Sequence, residues 1–133
     1  MSILNGVLNG CNEEFLALPD GMNKAKTRAG VKQLMLGRRA HKVIVDFMKE
    51  RGLCYSGGKI FYSPMEWADR GETTGRGSVL VIIHEDADIG IALDHDRAMQ
   101  SRYVALEELS ERLAAVGCFA ESINGWSTAI YAI

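Results

Sequence analysis

Two apolar runs in the final third of the chain decide the fold: GSVLVIIHED at residues 77–86 and GWSTAIYAI at residues 125–133. The stretch 78–83 is uninterrupted, of strand length and rich in β-branched residues, which predicts a central, buried strand. An apolar strand at the end of the sequence is expected to be paired and buried too. The Asn124-Gly125 dipeptide predicts that residues 119–133 form a tight hairpin.

Apolar residues that recur at three- and four-residue steps predict helices elsewhere. These helices cover residues 3–18, 24–51, a short stretch after Ser63 and residues 97–116. Gly30 and Gly37 interrupt the second helix and mark a kink, a break or a close approach to another backbone. Gly52 is expected to cap that helix. Ser63, followed by Pro64 and Glu66, predicts a capped helix start.

These elements predict an α+β fold. We expect an antiparallel sheet of about four strands with helices packed on one face, preceded by N-terminal helices. A further strand is predicted at residues 59–62, after a Gly57-Gly58 turn. The length of 133 residues favours a single domain. Within it, residues 1–52 are predicted to be helical and basic, and residues 53–133 to form an acidic sheet-plus-helix part.

Composition narrows the cellular context. No apolar run is long enough for a membrane helix, and the N-terminal residues show no basic and apolar segments of a secretory signal. The three cysteines, Cys11, Cys54 and Cys118, are widely spaced and odd in number, which argues against a disulfide framework or a zinc site. We therefore expect a protein of a reducing cytoplasm with no membrane partner.

Charge is segregated along the chain. Residues 1–60 hold ten Lys and Arg against five Asp and Glu, whereas residues 61–133 hold five against twelve. The segment 24–42 carries seven cations and no acid. Such asymmetry indicates either an interaction surface or two halves of one domain that attract each other across the fold.

The basic segment supplies the first candidate site. Lys32, Arg38, Arg39 and Lys42 are the predicted partner-binding residues. The same helix, 24–42, is the basis for an alternative nucleic-acid-binding function, which needs cations on one solvent face. Adjacent residues of a helix point about 100° apart, so some of these cations must diverge. The simpler interpretation is a solvated face, partly paired with the acidic half.

A second candidate set flanks the central strand. Arg70, Glu72, Arg76 and His84 are predicted to line the rim of any ligand pocket. The glycine-rich segment 71–77 precedes a strand, whereas a phosphate-binding loop follows a strand and opens a helix. A flexible connector is therefore the favoured interpretation of that segment.

The acidic segment 84–96 offers a metal-dependent hydrolase as a further alternative, built on His84, Asp86, Asp88 and His95. The spacing matches no known metal motif, and a solvated loop in which Asp94 or Asp96 caps the next helix is favoured. No nucleophile motif is present. We predict no catalytic residue, metal or cofactor, and the balance is against an enzyme.

Three blocks carry a resemblance: WADRGE at residues 67–72, GSVLVIIHE at 77–85 and STAIYAI at 127–133. In this pattern the chain resembles a group of small uncharacterised proteins encoded by phages, plasmids and integrated mobile elements. The resemblance covers roughly residues 60–133 and leaves out the basic N-terminal helices. It departs from the group at residues 85–93, where similar proteins are glycine-rich and then aromatic. It implies a mobile-element gene in a bacterial cytoplasm and no specific activity.

The predicted function is accordingly that of a non-enzymatic binding protein that counters host defence. Its partner would be a host protein complex or a small signalling nucleotide, with nucleic acid as the alternative. A homo-oligomer is compatible with the sequence.

Overall fold

The computed structural model describes residues 16–19, 22, 28–53, 59–85 and 87–133. Most of the predicted helix 3–18 and the Gly57-Gly58 turn lie outside these residues. The helices are α1 (Arg28–Arg51), α2 (Pro64–Asp69), α3 (Gly90–Leu93), α4 (His95–Ala98) and α5 (Val104–Ala115). The strands are β1 (Phe61–Tyr62), β2 (Leu80–Ile83), β3 (Cys118–Asn124) and β4 (Ser127–Ala132).

The four strands form one antiparallel sheet in the order β1-β2-β4-β3. In β2, Val81 pairs with Tyr62 on one side and with Ala129 on the other. The predicted α+β class, the antiparallel sheet and the central position of β2 are therefore confirmed. The predicted hairpin is also present, with β3 and β4 joined at Asn124, whose side chain accepts hydrogen bonds from the Trp126 amide and the Ser127 hydroxyl.

The two faces of the sheet pack against different helices. Alternation along β2 places Leu80 and Ile82 in the main core, which α1, α3 and α5 complete on one face. Val81 belongs to a smaller cluster on the other face, where Trp67 of α2 packs against it. The long helices thus cover one face, as predicted, and the short helix α2 contributes its tryptophan to the opposite face.

Helix α1 approaches the sheet closely at Gly37. A Cβ atom at this position would lie 2.4 Å from the carbonyl oxygen of Val79. Of the three explanations that the sequence left open for Gly30 and Gly37, close packing against another backbone holds for Gly37, because α1 is continuous through it. The same helix buries Ile44, Phe47 and Met48 against the sheet.

The cap predicted at Gly52 is confirmed. Gly52 has a φ of 64° and its amide donates to Lys49, while the amide of Leu53 donates to Met48. These two hydrogen bonds form a Schellman motif, which ends the helix through a left-handed residue. The start predicted for α2 is confirmed as well: Ser63 and Glu66 form a reciprocal capping box with Pro64 at the first helical position.

The prediction of a single helix over residues 97–116 is wrong. Helix α4 passes into a short 3-10 helix, Met99–Ser101, and the chain then turns through Arg102 and Tyr103 before α5 begins. Both turn residues have positive φ, 53° and 64°. The predicted cap is correct for Asp94, whose carboxylate accepts from the amide of Asp96 at the start of α4.

Candidate functional site

The first candidate site lies on the solvent side of α1. Lys32, Arg38, Arg39 and Lys42 are all exposed. Between them lie two apolar side chains that are also exposed, Val31 at 43% and Met35 at 47%. Steps of three and four residues bring these positions onto one side of a helix. We call these six residues, Val31, Lys32, Met35, Arg38, Arg39 and Lys42, the basic face of α1.

Most of the basic face is electrostatically unsatisfied within the described residues. The ammonium of Lys42 forms an ion pair with Asp46, one turn further along, at 2.8 Å. Lys32, Arg38 and Arg39 form no ion pair with any residue that the structure describes. Their charges are therefore available to a partner.

The basic and acidic halves of the chain do meet, but at the far end of α1. Arg112 of α5 donates to both carboxylate oxygens of Glu50, at 2.7 and 3.0 Å. Arg51 pairs with Glu108 in the same place. The hydrogen bond from Arg112 lowers the pKa of Glu50. Among the described residues, pairing between the two halves therefore involves the C-terminal turn of α1 and the ion pair of Lys59 with Glu66, and it includes no residue of the basic face.

The second candidate set, Arg70, Glu72, Arg76 and His84, is not brought together. The guanidinium of Arg70 lies over the rings of Trp67 and Tyr62, 4.8 and 5.2 Å from their centroids, and 3.8 Å from the carboxylate of Glu72. This pair belongs to the aromatic side of the sheet. Arg76 lines a separate cleft. His84 is buried at the end of β2.

The cleft lies between α1, α2 and the segment that leads into β2, and its volume is about 580 Å³. Its apolar lining includes Met22, Leu34 and Val79. The lining also has five polar or charged side chains: Gln33, Ser63, Glu66, Asp69 and Arg76. Of these, the sequence singled out only Arg76 as a candidate ligand residue. Gln33 and Asp69 were missed because helical spacing alone does not show which residues of two separate helices face each other.

The polar groups of this cleft differ in how they are satisfied. Glu66 accepts from the amide of Ser63 at 3.0 Å and forms an ion pair with Lys59. The Gln33 amide donates to the carbonyl oxygen of Ser78 at 2.7 Å. Asp69 and Arg76 are exposed and form no ion pair with a described residue. One carboxylate and one guanidinium therefore remain open to a ligand.

His84 is held by the sheet. Its Nε2 atom lies 2.9 Å from the hydroxyl of Thr128, and its Nδ1 atom has no hydrogen-bond partner among the described residues. Burial lowers the pKa of His84 to about 4; Asp94 opposes this shift and Arg97 adds to it. The imidazole is neutral at physiological pH and is shielded from solvent, so it is a structural group.

The alternative metal site gains no support from the geometry. In the described stretches of the chain, no three His, Cys, Asp or Glu side chains are placed to hold a metal ion. Asp88 and His95 are exposed, and Asp86 lies outside the described residues. His95 instead lines a small cavity of about 120 Å³ with Ser110, Ser122 and Thr128.

The molecule offers no membrane-spanning helix in its described part, since none there is both long and apolar enough.

Comparison with known proteins gives no match from which a role for these sites could be inferred. No family model matches the chain. No curated protein and no solved structure is significantly similar to it.

Proposed function

We propose that this protein is a non-enzymatic binding protein whose basic face docks onto an acidic surface of another protein. The observation that carries the proposal is the combination on α1: Lys32, Arg38 and Arg39 lack ion pairs within the described residues, and they surround the exposed Val31 and Met35. Protein interfaces combine an apolar centre, in which methionine and arginine are enriched, with charges that steer encounter.

A protein partner is favoured over nucleic acid by the apolar part of this face. Phosphate contacts require cations and hydrogen-bond donors, and neither Val31 nor Met35 supplies one. Both side chains would lose water contacts only against an apolar patch of a partner. A signalling nucleotide is disfavoured at the 580 Å³ cleft, because the carboxylate of Asp69 would repel its phosphates.

The biological setting that we propose is counter-defence. The resemblance to phage and mobile-element proteins supports a bacterial cytoplasm as the place of action and a host defence complex as the partner. A small protein that blocks such a complex needs a docking surface and no catalytic residue. The exposed cationic and apolar side chains of the basic face are suited to docking.

The proposal is tested by affinity capture from a host lysate, with bound proteins identified by mass spectrometry. Arg38→Glu and Arg39→Glu should each lose the partner that the wild type captures, because each places a carboxylate against an acidic surface. Met35→Ala should weaken capture through lost apolar contact. Arg102→Glu, which reverses an exposed charge in the turn before α5, is the matched control and should capture normally.

Two outcomes would count against the proposal. Equal capture by the wild type, Arg38→Glu and Arg39→Glu would mean that the basic face is not the docking surface. A duplex DNA titration provides the second. Affinity for a generic duplex that falls steeply with salt and is lost in Arg38→Glu would assign the basic face to nucleic acid.

A further inference from the structure

The cleft beside α2 is independent of the basic face and has its own chemistry. At about 580 Å³ it falls within the size range of small-molecule sites, about 300 to 1,000 Å³. Met22 and Val79, two of its apolar lining residues, are buried, and Leu34 is half-buried. Of these three residues, a ligand that enters the cleft meets mainly Leu34 of α1, because Met22 and Val79 are only 2% and 3% exposed.

The charges around that surface are set by the turn between Asp69 and Arg76. Gly71 and Gly75, with φ of 88° and 78°, reverse the chain after α2. Arg70 is removed from the cleft because its guanidinium lies over the rings of Tyr62 and Trp67. Among the described residues, the turn thus leaves Asp69, at the end of α2, and Arg76, just before β2, as the open charges of the cleft.

One ligand chemistry satisfies this set. A polyanion is repelled by the carboxylate of Asp69, and a simple cation is repelled by Arg76. A molecule with one ammonium, one carboxylate and an apolar body complements all three features. Arginine binds a carboxylate in bidentate geometry, and the carboxylate of Asp69 accepts hydrogen bonds from an ammonium.

We propose that the cleft binds a free apolar α-amino acid. The carboxylate of the ligand pairs with Arg76, its ammonium pairs with Asp69, and its side chain packs against Leu34 and Val79. This site is separate from the basic face, so the inference does not depend on the proposed protein partner.

The test is a titration of the full chain, followed by the backbone amide signals in NMR spectra. The probes are L-leucine, L-methionine and L-phenylalanine. At least one should shift the amides of Gln33, Asp69 and Arg76 in a saturable way, with a Kd of about 1 mM or lower. Isoamylamine and isocaproate, which are leucine without its carboxylate and without its ammonium, should each bind about tenfold more weakly than leucine.

Variants separate the two charges. Asp69→Asn should weaken leucine and isoamylamine and leave isocaproate unchanged, whereas Arg76→Gln should weaken leucine and isocaproate and leave isoamylamine unchanged. Arg102→Gln is the matched control and should bind all three compounds as the wild type does. Arg38→Glu should also bind leucine normally, so that a failure of the basic-face proposal and a failure of this one are distinguished.

The inference is overturned if none of the three amino acids produces a saturable shift. It is equally overturned if leucine and both of its single-charge analogues bind with the same affinity, because the cleft would then recognise an apolar body alone.

Discussion

The imidazole of His84 and the hydroxyl of Thr128 form a buried hydrogen bond, 2.9 Å between Nε2 and Oγ1. It joins the residue that follows β2 to the second residue of β4. The backbone repeats the connection, because the amide of His84 donates to the carbonyl oxygen of Trp126 at 2.9 Å. Both side chains are about 99% buried. No carboxylate among the described residues is in hydrogen-bond contact with this imidazole. Burial therefore favours the neutral form over an imidazolium.

The first prediction concerns acid stability. The folded state holds the pKa of His84 at about 4, well below the ordinary 6.5. As the pH falls, His84 therefore binds a proton in the unfolded chain at a higher pH than in the folded protein. The free energy of unfolding consequently decreases from about pH 6.5 down to about pH 4. Between pH 7 and pH 4.5 His84 should account for a loss of about 2.5 kcal/mol in the free energy of unfolding.

The measurement is urea unfolding of the wild type and His84→Gln at both pH values. The glutamine cannot titrate, so the wild type should lose about 2.5 kcal/mol more than the variant on acidification. Burial also lowers the pKa of His41. Both proteins contain this histidine, so its contribution cancels when their pH dependences are compared. Identical pH profiles for the wild type and His84→Gln would refute the assignment.

The second prediction is that Gly37→Ala destabilises the fold even though alanine is the better helix former. Helix propensity alone would favour alanine by about 1 kcal/mol. The new Cβ, however, would lie 2.4 Å from the backbone oxygen of Val79, so α1 must move away from the sheet. We expect a net loss of about 1 to 3 kcal/mol in urea unfolding. Gly125→Ala, whose Cβ has open space around it, should change stability by less than about 0.5 kcal/mol.

The third prediction concerns the start of α2. Ser63 accepts from the amide of Glu66 at 3.1 Å, and this bond fixes the helix that lines the cleft. Ser63→Ala should therefore lower the free energy of unfolding by about 1 kcal/mol. Ser110→Ala, at an exposed site within α5, is the control and should stay within about 0.5 kcal/mol of the wild type. Equal stability of the two variants would show that the cap contributes nothing.

The fourth prediction is that Cys118 is chemically inert in the folded protein. Its thiol is buried at the start of β3, and burial raises its pKa although the charge of Arg39 acts in the opposite direction. Because the thiolate is the reactive form, iodoacetamide at neutral pH should leave Cys118 unmodified until urea unfolds the chain. Peptide mapping by mass spectrometry follows this one cysteine. Rapid alkylation in the native state would contradict its buried placement.

The fifth prediction separates binding from stability on the basic face. The double variant Arg38→Glu/Arg39→Glu should keep its thermal midpoint within about 2 °C of the wild type, because neither side chain pairs with a described residue. A midpoint lowered by about 10 °C would instead mean that these cations hold the fold together. Calorimetry on the purified variant distinguishes the two results.

Two helix ends show which structural features could be predicted from the sequence and which could not. The ends at Gly52 and Arg102 use the same pair of Schellman hydrogen bonds, and each requires a left-handed residue. Glycine adopts that conformation without steric cost, so the end at Gly52 was predictable from its residue type. Arginine gives no such signal. The break before α5 depends on tertiary packing, which is why the sequence predicted one continuous helix there.

The same limit applies to the sites. Exposure of Lys32, Arg38, Arg39 and Lys42 followed from helical periodicity and a lack of nearby acids, which are local properties. The cleft could not be predicted from such local properties, because Gln33 and Asp69 come from separate helices. They line one cleft only because α1 and α2 both lie beside it in the folded chain, and the sequence gives no direct sign of that arrangement.

The position of β4 imposes an order on folding. β4 is made after every other strand, yet it lies between β2 and β3. During synthesis the inner edge of β2 therefore stays open while α3, α4 and α5 are made. The β3–β4 hairpin can form first around Asn124, because its contacts are local, and then dock onto β2 as a unit. Until that docking step, Val81 lacks Ala129 as its partner, and the nascent chain exposes an unpaired, apolar strand edge that favours aggregation.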